Sequence, residues 1–252
     1  MADAGSRLSQ ALAELRRQAR PDQLAGMARF GLVGAGRLGV SVPALRRLGR
    51  ALGRDHGLAL ALWDTGIPDA RILASLVAEP GRLTSAQMDL WAHTAEAWDV
   101  CDQACNNAFV RSPLAWDRVK AWSQASPEFA RRAAFALLAC LATHDKRATD
   151  AAFAAALELI EQAATDERHF VRKAVNWALR GIGKRNVSLQ LLAIERAERI
   201  AGLNSRAARW IAADALRELR SPDVAARLAA RRAPRPVAEP RPCKGRAGPG
   251  SR

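Results

Sequence analysis

Two stretches of the chain, FARRAAFALLACLA at residues 129–142 and FVRKAVNWALRGIG at residues 170–183, share the pattern F-x-R-(R/K)-A and begin 41 residues apart. The segment ARWIAADALREL, from Ala208, is a looser third copy about 38 residues further on. All three are rich in Ala, Leu and Arg, which favour helix. Helical units that recur at about this period predict stacked helix pairs, because each pair has to bury its apolar face against the next.

The rest of the body fits the same architecture. Apolar residues recur at helical spacing, and Pro43 and Pro68 stand where the first turn of a helix accepts proline. We expect about twelve helices joined by short links, in an all-α fold: a right-handed α-solenoid of HEAT-like repeats with a concave basic face. Residues 1–231 are expected to form one domain, and the Pro-, Gly- and Arg-rich residues 232–252 a disordered tail.

Composition narrows the class of partner. The formal net charge is +14, from 39 Lys and Arg against 25 Asp and Glu, which favours a polyanion, with DNA or RNA ahead of an anionic membrane surface. No apolar run is long enough to span a bilayer, and the first residues lack the apolar core of a signal peptide. Four cysteines are too few for a disulfide framework. A cytoplasmic, nucleoid-associated monomer is therefore expected.

One predicted helix carries an unusual basic face. Lys173, Trp177, Arg180 and Lys184 are spaced 4, 3 and 4 residues apart, which places three cations and one indole on the same side with no acid. Such a face suits a nucleic-acid backbone and an exposed base. The alternative interpretation is an ordinary solvated helix face.

A second pair, Trp98 and Asp102, lies one turn apart on another helix. A carboxylate repels phosphate, so an acid kept on a surface that binds DNA is a candidate for chemistry on a nucleotide. The alternative is a core tryptophan beside a solvated aspartate. The neighbouring Asp99 faces another direction, and we expect it to bond a loop.

Several further groups have structural interpretations. Cys101 and Cys105 are expected to pack in the core, because no paired His/Cys motif completes a metal site. Of Arg131 and Arg132, one is expected to pair locally and the other to reach phosphate. The segment GAGRLG at 34–39 matches G-x-G-x-x-G but lacks the preceding strand, so a loop between helices is expected.

At these residues the chain resembles the AlkD-type DNA alkylation repair glycosylases, a family of HEAT-like repeat proteins. The segments that carry the resemblance run in order through residues 20–220: MARFG, LGVSVPALRRL, ALWD, AWDVCD, RRAAF and KAVNWALRGIGKRN. The last of these is the most specific, and the ordered set is more specific than any single segment.

The resemblance implies a function and a site. Members of the family excise positively charged bases such as 3-methyladenine and 7-methylguanine from duplex DNA, and no cofactor or metal is implied. Their site has two tryptophans and an aspartate, which correspond by position to Trp98, Trp177 and Asp102. The carboxylate would oppose the positive charge that develops on the sugar as the glycosidic bond breaks.

The resemblance also implies DNA contacts. Arg132 and Arg180 correspond to arginines of the family, and with Lys173 and Lys184 they are expected to hold phosphates. Phe30 stands where the family usually has tyrosine, and the chain has no tyrosine at all. Two other functions stay open: a non-catalytic HEAT-repeat protein that binds distorted or branched DNA, and a protein-interaction scaffold.

Overall fold

The computed structural model describes residues 4–232, so the tail predicted at 232–252 lies, apart from its first residue, outside the described part of the chain. Within residues 4–232 the chain forms fourteen α-helices and three short 3-10 turns (21–23, 80–82 and 109–111), and no strand. The helices are α1 (Ala4–Arg17), α2 (Leu24–Ala28), α3 (Val42–Leu52), α4 (His56–Asp64), α5 (Pro68–Val77), α6 (Ser85–Thr94), α7 (Trp98–Asn107), α8 (Ala115–Trp122), α9 (Glu128–His144), α10 (Asp150–Ala163), α11 (His169–Gly183), α12 (Val187–Ala201), α13 (Arg206–Leu219) and α14 (Pro222–Arg232).

The sequence defines many of the helix starts directly. Pro43 and Pro68 lie in the first turns of α3 and α5, as predicted, where the missing amide would have no intrahelical partner. Asparagine, serine or threonine caps α6, α10, α12 and α13, and each of these side chains accepts a hydrogen bond from a first-turn amide.

The helices are arranged in two layers. In one layer α3, α5, α7, α9, α11 and α13 pack side by side, each against the next. In the other layer α4, α8, α10 and α12 cover α5, α9, α11 and α13. This arrangement of stacked pairs confirms the all-α, HEAT-like solenoid predicted from the repeats.

The two similar stretches are neighbours in the fold. They form most of α9 and α11, which pack more extensively on each other than any other helix pair in the described residues. Phe129 and Phe170, which open the two stretches, stack with ring centroids 5.5 Å apart. The shared pattern therefore marks equivalent positions on adjacent repeats.

Two close contacts between helices stand out in the core. In the first half of the chain Trp63 stacks on Trp91 at 4.3 Å, so the tryptophan of ALWD is a core residue. At the end of α11 a Cβ added to Gly183 would lie 2.6 Å from a methyl carbon of Leu219, so the absence of a side chain lets α13 approach α11.

Among the described residues no helix combines the length and apolar character needed to cross a bilayer.

Candidate nucleic-acid interface

The start of α7 is joined to the loop that follows α2. The indole nitrogen of Trp98 donates a hydrogen bond to the backbone carbonyl of Phe30 at 2.8 Å. The next residue, Gly31, has φ +73°, and a Cβ there would lie 2.8 Å from the ring of Phe170 in α11. Only glycine lets this loop reach α7 and α11 at once. The Phe30 side chain is left 74% exposed beside Trp98.

Asp102 is held by a buried arginine of the next repeat. Arg132 donates from Nε to Oδ1 at 3.0 Å and from Nη2 to Oδ2 at 2.7 Å, a bidentate pair. Its third nitrogen, Nη1, donates to the carbonyl of Phe170 at 2.7 Å. Side-chain exposure is 7% for Arg132 and 16% for Asp102.

This geometry bears on one expectation. Arg132 was expected to contact phosphate, but it is buried and each of its three guanidinium nitrogens already donates to Asp102 or to Phe170. Its role in the structure is to orient the carboxylate. Arg131, the other candidate, pairs with Asp166 at 3.3 Å, so both arginines bind protein carboxylates.

The electrostatics of the pair follow from its position. Burial raises the pKa of Asp102, and the charge and hydrogen bonds of Arg132 oppose that rise. Burial lowers the pKa of Arg132, but the charge and hydrogen bonds of Asp102 outweigh this and raise it above its ordinary value. The bidentate geometry, in which both oxygens of Asp102 accept from a guanidinium that stays protonated, is that of a carboxylate paired with a cation.

A second buried pair fixes the same helix one turn earlier. Arg37, inside the GAGRLG segment, donates to both oxygens of Asp99 at 2.8 and 2.9 Å. Asp69 in α5 accepts from the amides of Leu38 and Val40 at 2.8 Å each. The segment is a loop, and Asp99 binds it, as the sequence predicted. The glycine motif therefore has a structural role.

These groups surround an open cleft of about 240 Å³. Its lining consists of Phe30, Trp98, Asp102, Arg132, His169, Phe170 and Lys173. The structure thus brings together five of the predicted site residues and adds two, His169 and Phe170, that sequence reasoning missed. The only signal for these two was their position at the start of the repeated pattern.

The surroundings of the added histidine disfavour its charged form. Burial and the nearby charges of Lys173 and Arg172 lower the pKa of His169. Lys173 is exposed, and within the described residues it forms neither a hydrogen bond nor an ion pair. The cleft therefore contains one cation free for an anionic ligand, next to a carboxylate whose charge is already paired.

The remaining residues of the basic face lie outside the cleft. Trp177 is half-buried against the core. Arg180 pairs with Glu218 at 2.7 Å and with Asp214 at 3.4 Å. Lys184 also pairs with Glu218, at 2.7 Å.

The face without an acid thus exists only on α11 itself, because α13 supplies two carboxylates. Although burial raises the pKa of Glu218, hydrogen bonds and charge from Lys184 and Arg180 hold it below its ordinary value. The sequence indicates this pairing through the third copy of the repeat, because Arg180 and Glu218 are 38 residues apart, which is the repeat spacing.

The cysteines are core residues, as expected. Cys101 and Cys105 are buried, and their thiols donate to the carbonyls of Phe129 and Ala133 at 3.6 Å. Burial raises the pKa of the Cys105 thiol well above its usual range. Residues 4–232 contain no group of three or more potential metal ligands.

The layered helices define a HEAT-like repeat protein, and comparison with known proteins identifies its family. Residues 11–228 match the family model described as DNA alkylation repair enzyme, which is most of the chain. The chain therefore belongs to the DNA alkylation repair enzyme family. No curated protein sequence matches it significantly.

One solved structure shows the same fold. This structure, described as belonging to "a new family of proteins related to the HEAT-like repeat DNA glycosylases with affinity for branched DNA structures", superposes with a TM-score of 0.69. It is 18% identical, and the match covers 84% of this chain and 94% of that chain. A designed armadillo repeat protein in complex with a (KR)4 peptide is 14% identical over 88% of this chain and 97% of its own, at a TM-score of 0.35, too low to support an argument.

Proposed function

We propose that the protein is a DNA glycosylase of the AlkD type, which hydrolyses the N-glycosidic bond of cationic alkylated purines, 3-methyladenine and 7-methylguanine, in duplex DNA. The observation that carries the proposal is the Asp102 carboxylate, fixed by two hydrogen bonds from buried Arg132 at the wall of an open, aromatic-lined cleft. A fixed negative charge beside aromatic faces suits a reaction in which positive charge moves from a base to a sugar.

The electrostatic stabilisation of the positive charge on the sugar depends on both Asp102 and Arg132. A carboxylate about 4 Å from the sugar attracts its positive charge by ~4 kcal/mol at an effective dielectric of about 20. The guanidinium behind it, at about 7–8 Å, repels the same charge by ~2 kcal/mol. The net stabilisation of about 2 kcal/mol corresponds to roughly thirtyfold in rate. An alkylated base is already a good leaving group, so this contribution suits the substrate.

The aromatic residues and the free cation have separate roles. Trp98 presents an indole beside Asp102, and Phe30 and Phe170 complete an apolar wall against the deoxyribose. Trp177, one turn beyond Lys173 on α11, supplies the second indole. Lys173 holds a phosphate near the lesion, while Arg180 and Lys184 contact the backbone by exchanging Glu218 for phosphate oxygens.

The test compares matched neutralisations of a carboxylate. Asp102→Asn removes the attraction between the carboxylate and the positive sugar but keeps the repulsion by Arg132. The activation free energy therefore rises by ~4 kcal/mol, and the rate of excision falls about a thousandfold. Asp117→Asn, an exposed acid on the adjacent α8, serves as the control and should retain wild-type excision. Release of 7-methylguanine from methylated duplex DNA is measured, together with DNA affinity. Full activity of the Asp102 variant would refute the mechanism.

A second candidate, non-catalytic binding of branched DNA, has one observation in its favour. Both oxygens of Asp102 are occupied by Arg132, which halves the field that the carboxylate alone would exert. The solved structure with the same fold is described as having affinity for branched DNA. Tighter binding to a four-way junction than to duplex, with no base release by the wild type, would favour this candidate over the glycosylase.

A further inference from the structure

We infer that a second cleft, lined by Arg46, Arg50, Arg54 and Arg111, binds nucleic-acid phosphates outside the Asp102 cleft. We call it the arginine cleft. The inference rests on the proposed function in one respect only, that the ligand is DNA, and it does not depend on base excision.

The arginine cleft lies where the ends of three helices of one layer meet. Arg46 and Arg50 are one turn apart on α3, and Arg54 follows the end of that helix, where Gly53 has φ +72°. Arg111 comes from the 3-10 turn after α7. The cleft has a volume of about 340 Å³, and Gly49, Gly53, Leu76 and Asn107 complete its lining.

Two of the four arginines are anchored by the fold. Arg54 donates from Nη1 to the carbonyl of Leu76 at 3.1 Å, near the end of α5. Arg111 donates from Nη1 to the carbonyl of Asn107 at 2.9 Å, at the end of α7. The carbonyls at helix ends attract cations, which explains these contacts. Each of these two arginines uses only Nη1 in its contacts, and its other guanidinium nitrogens have no partner among the described residues.

No comparable contact within the described residues anchors Arg46 and Arg50. Both are exposed, and neither forms a hydrogen bond or an ion pair with any residue in 4–232. Like charges four residues apart destabilise a helix by a few tenths of a kcal/mol, and no acid lines the cleft to offset them. Elsewhere on the surface Arg199 pairs with Glu195, and Arg220 pairs with Glu198.

The lining of the cleft, with four arginines and no carboxylate, points to a ligand. A concave site with four cations and no carboxylate matches a chain of phosphates, because bidentate guanidinium–phosphate contacts relieve the mutual repulsion. The site is also close to the proposed reaction. Asn107 is five residues beyond Asp102 on α7, about 7–8 Å along the helix axis, far less than the ~34 Å of one duplex turn.

The experiment measures the salt dependence of duplex binding. Arg46→Gln/Arg50→Gln removes the two unpaired cations, and Arg199→Gln/Arg220→Gln removes the same charge from paired positions elsewhere. Affinity for an undamaged duplex is measured by fluorescence anisotropy over a series of NaCl concentrations. Loss of two phosphate contacts should make the slope of log K against log salt smaller by about 1.8, with roughly ten- to hundredfold weaker binding near physiological salt. Excision by saturating enzyme should stay at the wild-type rate.

The outcomes separate the two claims. An unchanged slope in the Arg46/Arg50 variant, or an equal loss in the control variant, would overturn the arginine cleft while leaving the Asp102 chemistry intact. Failure of the wild type to bind duplex would remove the proposed function and this inference together. Loss of single-turnover excision at saturation would show that the arginines act on the reacting centre, which also contradicts the inference.

Discussion

Replacement of Arg132 by methionine tests the central pair most directly. The change keeps a long side chain in the buried site but removes two hydrogen bonds to Asp102 and one to Phe170. Breaking a buried ion pair by deleting one partner costs about 3–5 kcal/mol, and the residual exposure of Asp102 favours the lower end. For a domain of this size we expect a fall in Tm of roughly 6–12 °C.

The chemical consequence has a defined sign. Burial raises the pKa of Asp102 and Arg132 opposes it, so without the arginine that pKa rises further. In the proposed mechanism the ionised form is the catalytic one, so the acid limb of the excision profile should move to higher pH. Between the unfolded and folded pKa values the folded state binds more protons than the unfolded state, so stability falls as pH rises through that window. The window is wider in the variant than in the wild type.

Arg37→Met is the matched control. The Arg37–Asp99 pair is also buried and bidentate, and it fixes the same helix, so its loss should lower Tm by a similar amount. The acid limb of the excision profile should shift much less than in Arg132→Met, because Asp102 retains its partner and the charge of Asp99 is the smallest influence on its pKa. Thermal unfolding and excision are measured for both variants over a range of pH. An unshifted acid limb in Arg132→Met, or an equal shift in Arg37→Met, would refute the reasoning.

Three further predictions concern other parts of the molecule. Glu218→Gln removes the charge that Arg180 and Lys184 both pair with, while Arg180 keeps Asp214, so duplex affinity should rise and its salt dependence steepen by about 1 phosphate equivalent, at a stability cost of no more than about 1 kcal/mol. Weaker binding in an anisotropy titration would contradict the proposed exchange. Gly183→Ala should lower Tm, because the new methyl group overpacks against Leu219 at a cost of about 1–3 kcal/mol in stability. Gly181→Ala is the control: its nearest new contact is at 3.6 Å, and it should stabilise the fold by roughly 0.5–1 kcal/mol. Equal Tm shifts in calorimetry would show that the contact at Gly183 relaxes freely. Burial raises the pKa of Cys140 to about 12, so this thiol should resist alkylation at pH 8 until the protein unfolds, and rapid labelling of the native protein, followed by mass spectrometry, would argue against its burial.

The helices and their repeat could be predicted because the information is local. Proline in the first turn, cap residues and apolar spacing act within a few residues, and α3, α5 and α13 begin where these signals place them. The shared pattern of α9 and α11 also indicated correctly that Phe129 and Phe170 occupy equivalent, adjacent positions.

The partner of Asp102 could not be predicted in the same way. Asp102 and Arg132 are 30 residues apart, and their contact depends on how α9 is rotated against α7. A rotation of about 100° separates Arg131 from Arg132, which decides whether the arginine faces Asp166 or Asp102. The sequence supplied both candidates but not that angle.

The acids that neutralise the basic face were missed for a different reason. The basic face contains no acid within α11 itself, but a solenoid presents each helix face beside that of the next repeat. Extending the repeat spacing from Arg180 leads to Glu218, so the pairing was present in the sequence. Surfaces of repeat proteins have to be evaluated across neighbouring units.

One guanidinium joins three consecutive helices of the same layer: Arg132 lies on α9, binds Asp102 on α7 and binds the first turn of α11 through Phe170. Solenoids change curvature by small rotations between adjacent repeats, and here such a rotation would break hydrogen bonds on both sides of α9. We therefore expect this segment to resist such rotation. The groups of the proposed chemistry would then keep their mutual geometry when a duplex binds.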